Sequence, residues 1–151
     1  MIRHSGYYDN KKEILNIYNE NSIIINDNAN PFEIFRTSEF MMGACDIFAL
    51  CLKETFKYQM CKITEDNKIH YFCIDSSKSE KYYIDVRGFT TSYSEFVSYY
   101  SVPSNGNMHT ADTNEEKEIK SQDYYIDGKK FAEKIIKNNK NIYDISYSKK
   151  L

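Results

Sequence analysis

Three things are missing from this chain: an apolar run long enough to span a bilayer, a CxxC pair of cysteines, and tryptophan. The first absence excludes a membrane-spanning helix, which needs about 20 apolar residues. Met1 to Tyr7 also lacks the apolar stretch of a signal peptide. The expectation is a soluble, cytoplasmic protein with no membrane partner. The four cysteines, at 45, 51, 61 and 73, have neither zinc-ligand spacing nor the density of a secreted disulfide scaffold. Reduced thiols are therefore expected, with no metal and no cofactor. The lack of tryptophan, beside fourteen Tyr and nine Phe in a chain rich in Lys, Asn and Ile, reflects genome composition rather than chemistry. An excess of charge of either sign is lacking too. Twenty basic against 22 acidic residues leave a formal net charge of −2, which gives no general pull toward nucleic acid or an anionic membrane.

What is present fits one domain, residues 1–151, with its core at about 40–100. Lys11 to Asn21 carries Ile14, Leu15, Ile17 and Tyr18 near helical spacing, Ile23-Ile24-Ile25 reads as a brief strand or a buried loop, and Asn30-Pro31 has the order of an N-cap and a first helical proline. From Cys45 onward, Phe48, Leu52 and Phe56 recur at i+4 steps with Ile47, Leu50 and Cys51 widening the stripe, which predicts a mostly buried helix. Tyr58 to Thr64 and Lys68 to Ile74 flank the polar turn Glu65-Asp66-Asn67 and read as an antiparallel hairpin. After a second turn, Ser76 to Lys81, a third strand runs from Tyr82 to Val86 and ends at Arg87-Gly88. Ser92-Tyr93-Ser94-Glu95 and Thr113-Asn114-Glu115-Glu116 both fit capping boxes, and Phe131, Ala132, Ile135 and Ile136 line one face of a helix from about Gly128 to Lys137. The predicted class is α+β: a buried helix packed on a small antiparallel sheet, with helices toward the C-terminus.

Cys45 follows the small pair Gly43-Ala44 at the start of the predicted helix. Backbone N–H groups of a first helical turn have no intrahelical acceptor and stabilise an anion such as a thiolate, so Cys45 is the candidate nucleophile. His70 and Asp85 follow on the second and third strands. A turn that pairs Asp75 with Glu80 sets His70 directly opposite Asp85, with Cβ atoms about 4.5–5.5 Å apart, whereas a slip of one residue separates them onto different faces. The carboxylate then holds the imidazole, whose other nitrogen takes the Cys45 proton provided the helix packs across the His70 face. The Cys45 N–H supplies one oxyanion donor, and the sequence assigns no second one.

Each residue also has a plainer reading. Cys45 fits a small buried core position and His70 a satisfied core histidine. Asp85 fits a partner of Arg87 or a cap for the following turn. Arg87 and Gly88 either orient an anionic substrate group or are a structural Arg and a strand-ending Gly. Cys61 and Cys73, on neighbouring strands, fit core packing. The pairs Tyr82-Tyr83, Tyr99-Tyr100 and Tyr124-Tyr125 fit a core or an interface better than a stacking platform for nucleic acid.

With these residues in place, the blocks Gly43-Ala44-Cys45-Asp46-Ile47-Phe48-Ala49, His70-Tyr71-Phe72 and Tyr83-Ile84-Asp85-Val86-Arg87-Gly88 resemble small bacterial and phage proteins of the papain/transglutaminase-like cysteine superfamily, over about residues 40–100. The resemblance implies a papain/transglutaminase-like core, Cys45, His70 and Asp85 as a catalytic triad, and a thiol hydrolase, deamidase or transferase. The chain departs from that pattern in being short and in having no Trp. Two functions follow. One is a cysteine-dependent acyl-transfer enzyme acting on an amide or ester of a protein or peptide, which expects Cys45 to be alkylated faster than Cys51, Cys61 or Cys73. The alternative is a catalytically silent interaction protein with a protein target, such as a phage-encoded, anti-CRISPR-like inhibitor of a host defence system, contacting it through the acidic run Asp112 to Glu118 and the tyrosine pairs.

Overall fold

The computed structural model describes residues 40–41, 43–77, 79–99 and 101–146. The helix expected from Lys11 to Asn21, the Ile23-Ile24-Ile25 segment and the Asn30-Pro31 turn lie outside the described residues. Helix α1, Cys45–Phe56, forms where the i+4 apolar stripe predicts it and ends at Lys57, whose left-handed backbone (φ 65°) closes the last turn. Strands β1, Gln59–Glu65, and β2, Lys68–Asp75, make the expected hairpin, with Met60 opposite Cys73, Lys62 opposite Tyr71 and Ile63 opposite His70. Strand β3, Tyr82–Asp85, pairs with the other side of β2.

Two further strands complete the sheet, and neither carries a strand pattern in the sequence. Strand β4, Gly88–Thr90, folds straight back on β3, and Gly88 supplies the φ of 114° that the tight turn requires. Strand β5, Asn107–Thr110, adds to the outer side of β1. The order is β4-β3-β2-β1-β5, with every pairing antiparallel. Helix α2, Tyr93–Phe96, is a single turn capped by the Ser92 hydroxyl, which accepts from the Glu95 N–H. Helix α3, Thr113–Lys120, is capped one residue earlier than expected: Asp112, not Thr113, is the N-cap, and its reciprocal partner is Glu115. Helix α4, Tyr125–Asn138, starts before the predicted Gly128, and α5, Lys140–Tyr143, follows it. The described residues are α+β, as expected, and none of their helices is long and apolar enough to cross a membrane.

Strand alternation divides the sheet into two faces. Met60, Tyr71, Cys73 and Ile84 face α1, where the Cys73 thiol donates to the Ala49 carbonyl at 3.2 Å. Ile63, His70, Phe72, Tyr83 and Asp85 face the other way. There they are covered by Phe96 of α2, whose ring centroid lies 4.6 Å from that of Phe72 and 4.8 Å from that of Tyr83. Cys61 stands opposite Phe72 while Met60 stands opposite Cys73, so Cys61 and Cys73 point to opposite faces. All four cysteines are buried and free. The chain beyond α4 is tied to the sheet by two tyrosines: Tyr143 donates to the Val86 carbonyl at 2.6 Å and Tyr58 to the Tyr143 carbonyl at 2.8 Å.

Candidate functional site

The register between β2 and β3 decides how His70 and Asp85 meet. Asp75 pairs with Tyr82, not with Glu80, and continuing that register puts Asp85 opposite Phe72. The expected direct opposition of His70 and Asp85 is therefore corrected by two residues. The reason lies at the turn: the Asp75 carboxylate accepts from the Ser77 N–H at 2.7 Å, an Asx turn that opens the loop as soon as β2 ends. A shift of two residues preserves the face, so the two side chains still meet, on a diagonal, with His70 Nε2 3.0 Å from Asp85 Oδ2.

Around this pair the site is buried and aromatic. His70 is fully buried and Asp85 is 2% exposed. The imidazole lies parallel to the Phe72 ring at 6.2 Å, with Phe96 tilted beside it. Arg87 is buried as well. Its backbone N–H and Nε donate to Asp85 Oδ1 at 3.0 and 3.1 Å, and its Nη2 donates to Asp85 Oδ2 at 2.7 Å and to the Phe96 carbonyl at 2.8 Å. Asp85 thus does three things at once: it pairs with Arg87, caps the β3–β4 turn and holds His70.

Electrostatics then assign the protons. Burial on its own would raise the Asp85 pKa, but the Arg87 guanidinium and the hydrogen bonds from His70 and Arg87 hold it well below the usual carboxylate range. Burial pushes the His70 pKa down against the opposing pull of Asp85. A neutral ring beside an ionised carboxylate, which only accepts, carries its proton on Nε2. Nδ1 is left with a free lone pair, and it has no hydrogen-bond partner among the described residues.

Cys45 stands at the seam of the sheet. Strand β3 turns away after Asp85, and the thiol sulfur takes the vacated position by accepting from the Tyr71 N–H at 3.4 Å, next to His70 in the chain. The helix itself lies on the Cys73 face, so it does not pack across the His70 face as the sequence-based scheme requires; only its first residue reaches the seam. No hydrogen bond joins thiol and imidazole. Cys45 is 5% exposed, and its thiol is pushed up to about 12, mainly by burial. The Tyr71 and Asp46 N–H groups favour the thiolate, and the Asp46 and Asp85 charges oppose it.

The next residue brings in a group that the sequence alone does not mark. Asp46 Oδ1 accepts from the Ile47 N–H at 2.8 Å in the first turn of α1, and Oδ2 accepts from Gln122 Nε2 at 3.0 Å. Gln122 lies 76 positions away in a loop without motif, so nothing local announces it. Among the described residues, no group of three or more His, Cys, Asp or Glu side chains could hold a metal ion. Comparison with known proteins yields no family model, no curated relative and no solved structure that matches this chain.

Proposed function

We propose that the protein is a cysteine-dependent acyl-transfer enzyme with a papain/transglutaminase-like core, Cys45 being the nucleophile, His70 the base and Asp85 the group that orients the ring. The observation that carries this reading is the buried His70–Asp85 pair, whose remaining ring nitrogen has no hydrogen-bond partner among the described residues, one position in the chain from the Tyr71 N–H that holds the Cys45 thiol. A buried, unpaired acceptor is costly, by about 1–3 kcal/mol, and retaining one is a mark of a site that completes itself during function.

In the proposed cycle the thiol leaves the Tyr71 N–H and passes its proton to His70 Nδ1 as the sulfur attacks the carbonyl carbon of an amide or ester of a protein or peptide. The carbonyl π electrons move onto oxygen, where the Cys45 N–H donates to the oxyanion. Collapse expels the amine or alcohol, which takes the proton from Nδ1, and leaves a thioester on Cys45. Water, or another nucleophile, then gives its proton to Nδ1 and attacks the thioester, and the proton returns to the sulfur as the acyl group departs. Asp85 stays ionised throughout and stabilises the imidazolium, and Arg87 and Gly88 enter through the turn that holds Asp85 in place.

The test is an activated ester followed by mass spectrometry of the intact chain. An acyl adduct on Cys45, with turnover lost in Cys45→Ala and His70→Ala, is expected. Turnover unchanged in Cys45→Ala, with no adduct, would overturn the reading. One observation favours a second function, a catalytically silent interaction protein on the same scaffold: the resting thiol is almost completely buried and held at about 12. On that reading a protein target stays bound, and the biological effect survives, in Cys45→Ala.

A further inference from the structure

The surroundings of Asp46 hold more acceptors than donors. Its carboxylate is half-buried and takes hydrogen bonds from one backbone N–H and one side-chain amide, both neutral, and among the described residues no lysine, arginine or histidine pairs with it. Gln122 spends Nε2 on that carboxylate, which fixes the amide, and its Oε1 is buried with no hydrogen-bond partner. The Asp46 carboxylate, whose pKa burial raises against the pull of its two donors, and an amide oxygen therefore stand side by side with unmet capacity to accept. Asp46 follows Cys45 in the chain, and its charge acts on the thiol.

At Gly43, two positions before Cys45 in the chain, an added Cβ would meet nothing within 4 Å among the described residues. Tyr124, 42% exposed, lies within electrostatic range of both Asp46 and Cys45. A cation with several N–H donors suits a carboxylate and an amide oxygen together. An anion or a second acceptor suits neither.

We propose that Asp46 and Gln122 form a subsite for a positively charged, donor-rich group of the ligand, an ammonium or guanidinium, carried close to the carbonyl that Cys45 attacks. This rests on the acyl-transfer reading for its placement and names the substrate class: acyl compounds with a cationic side chain next to the scissile bond, as a peptide has at lysine or arginine. Occupancy neutralises the Asp46 charge beside the sulfur, so the correct substrate removes one of the charges that disfavour the thiolate. Asp46 and Gln122 are specificity residues; neither touches the reacting atoms.

The experiment uses three small methanethiosulfonates of matched size, bearing an ammonium, a neutral methyl group and a sulfonate, with modification of Cys45 in the full chain followed by peptide mass mapping. The ammonium reagent is expected to react about tenfold faster than the neutral one, and the sulfonate more slowly than either. In Asp46→Asn, which keeps an acceptor for the Ile47 N–H, the preference falls to about twofold or less while the neutral reagent reacts at an unchanged or higher rate. In Gln122→Met, which keeps the Asp46 charge, the preference is reduced but retained. Equal rates for the three reagents, or a preference that survives in Asp46→Asn, would sink the subsite. The readout needs no turnover, so the two ideas fail separately. A charge preference without Cys45-dependent ester turnover removes the catalytic reading alone, and turnover without the preference removes the subsite alone. Lysine, arginine and norleucine esters then tell ammonium from guanidinium recognition, and equal turnover of all three counts against the subsite.

Discussion

A single oxygen, Asp85 Oδ2, accepts from His70 Nε2 at 3.0 Å and from Arg87 Nη2 at 2.7 Å. The relationship makes the imidazole and the guanidinium dependent on one another, because both are buried and both are oriented by the same carboxylate. Removing that charge takes the Asp85 carboxylate away from a buried arginine, and breaking such a pair costs about 3–5 kcal/mol. Asp85→Asn should therefore lose about that much in urea unfolding, and Arg87→Met a similar amount. A loss below about 1 kcal/mol in both variants would show that the network is not held as described.

Acidification should act first through His70. Its pKa is lower in the folded than in the unfolded chain, because burial disfavours the charged ring, so the unfolded state binds the extra proton. The stability this provides is complete above the unfolded value of 6.5 and drains away as pH falls below it toward the lower folded value. Asp85 runs through a different window: its depressed folded value leaves its contribution intact above the ordinary 3.8 and lost only at more acid pH. Between pH 7 and 5 the wild-type chain should lose stability with a limiting slope of about 1.4 kcal/mol per pH unit for one proton. His70→Gln, which can still donate to Asp85, should flatten that slope, and an unchanged slope would assign the loss elsewhere.

The resting thiol should behave as a weak nucleophile. With Cys45 held at about 12, its alkylation by neutral iodoacetamide should keep rising by about tenfold per pH unit through pH 9, with no plateau. A plateau below pH 8 would mean that the thiolate is already stabilised without ligand. The sequence-based expectation of fast labelling at Cys45 thus becomes conditional on what occupies the neighbouring corner.

The cap of α3 offers a clean local check. Asp112→Ala should cost about 1 kcal/mol, since it removes the acceptor of the Glu115 N–H, whereas Thr113→Ala should change stability by a few tenths. Equal losses in the two variants would favour the cap position expected from the sequence motif.

Helix α1 and the β1–β2 hairpin are readable from the chain because their causes are local: the i+4 stripe of Phe48, Leu52 and Phe56, and β-forming runs on either side of Asp66-Asn67. The residue types of the candidate site, Cys45 at a helix start and His70 and Asp85 on neighbouring strands, are readable for the same reason. Strands β4 and β5 are not, since three residues and four mostly exposed ones carry no pattern; they are strands because β3 and β1 offer them backbone partners. Tertiary structure alone settled the two-residue shift that puts Asp85 opposite Phe72, the sheet face taken by α1, and the pairing of Gln122 with Asp46 across 76 positions. Local sequence determines which face a side chain takes within its own strand, because alternation is a property of the extended backbone. Which strands and helices stand next to that face depends on loop geometry and on packing between distant segments, and no window of neighbouring residues contains either.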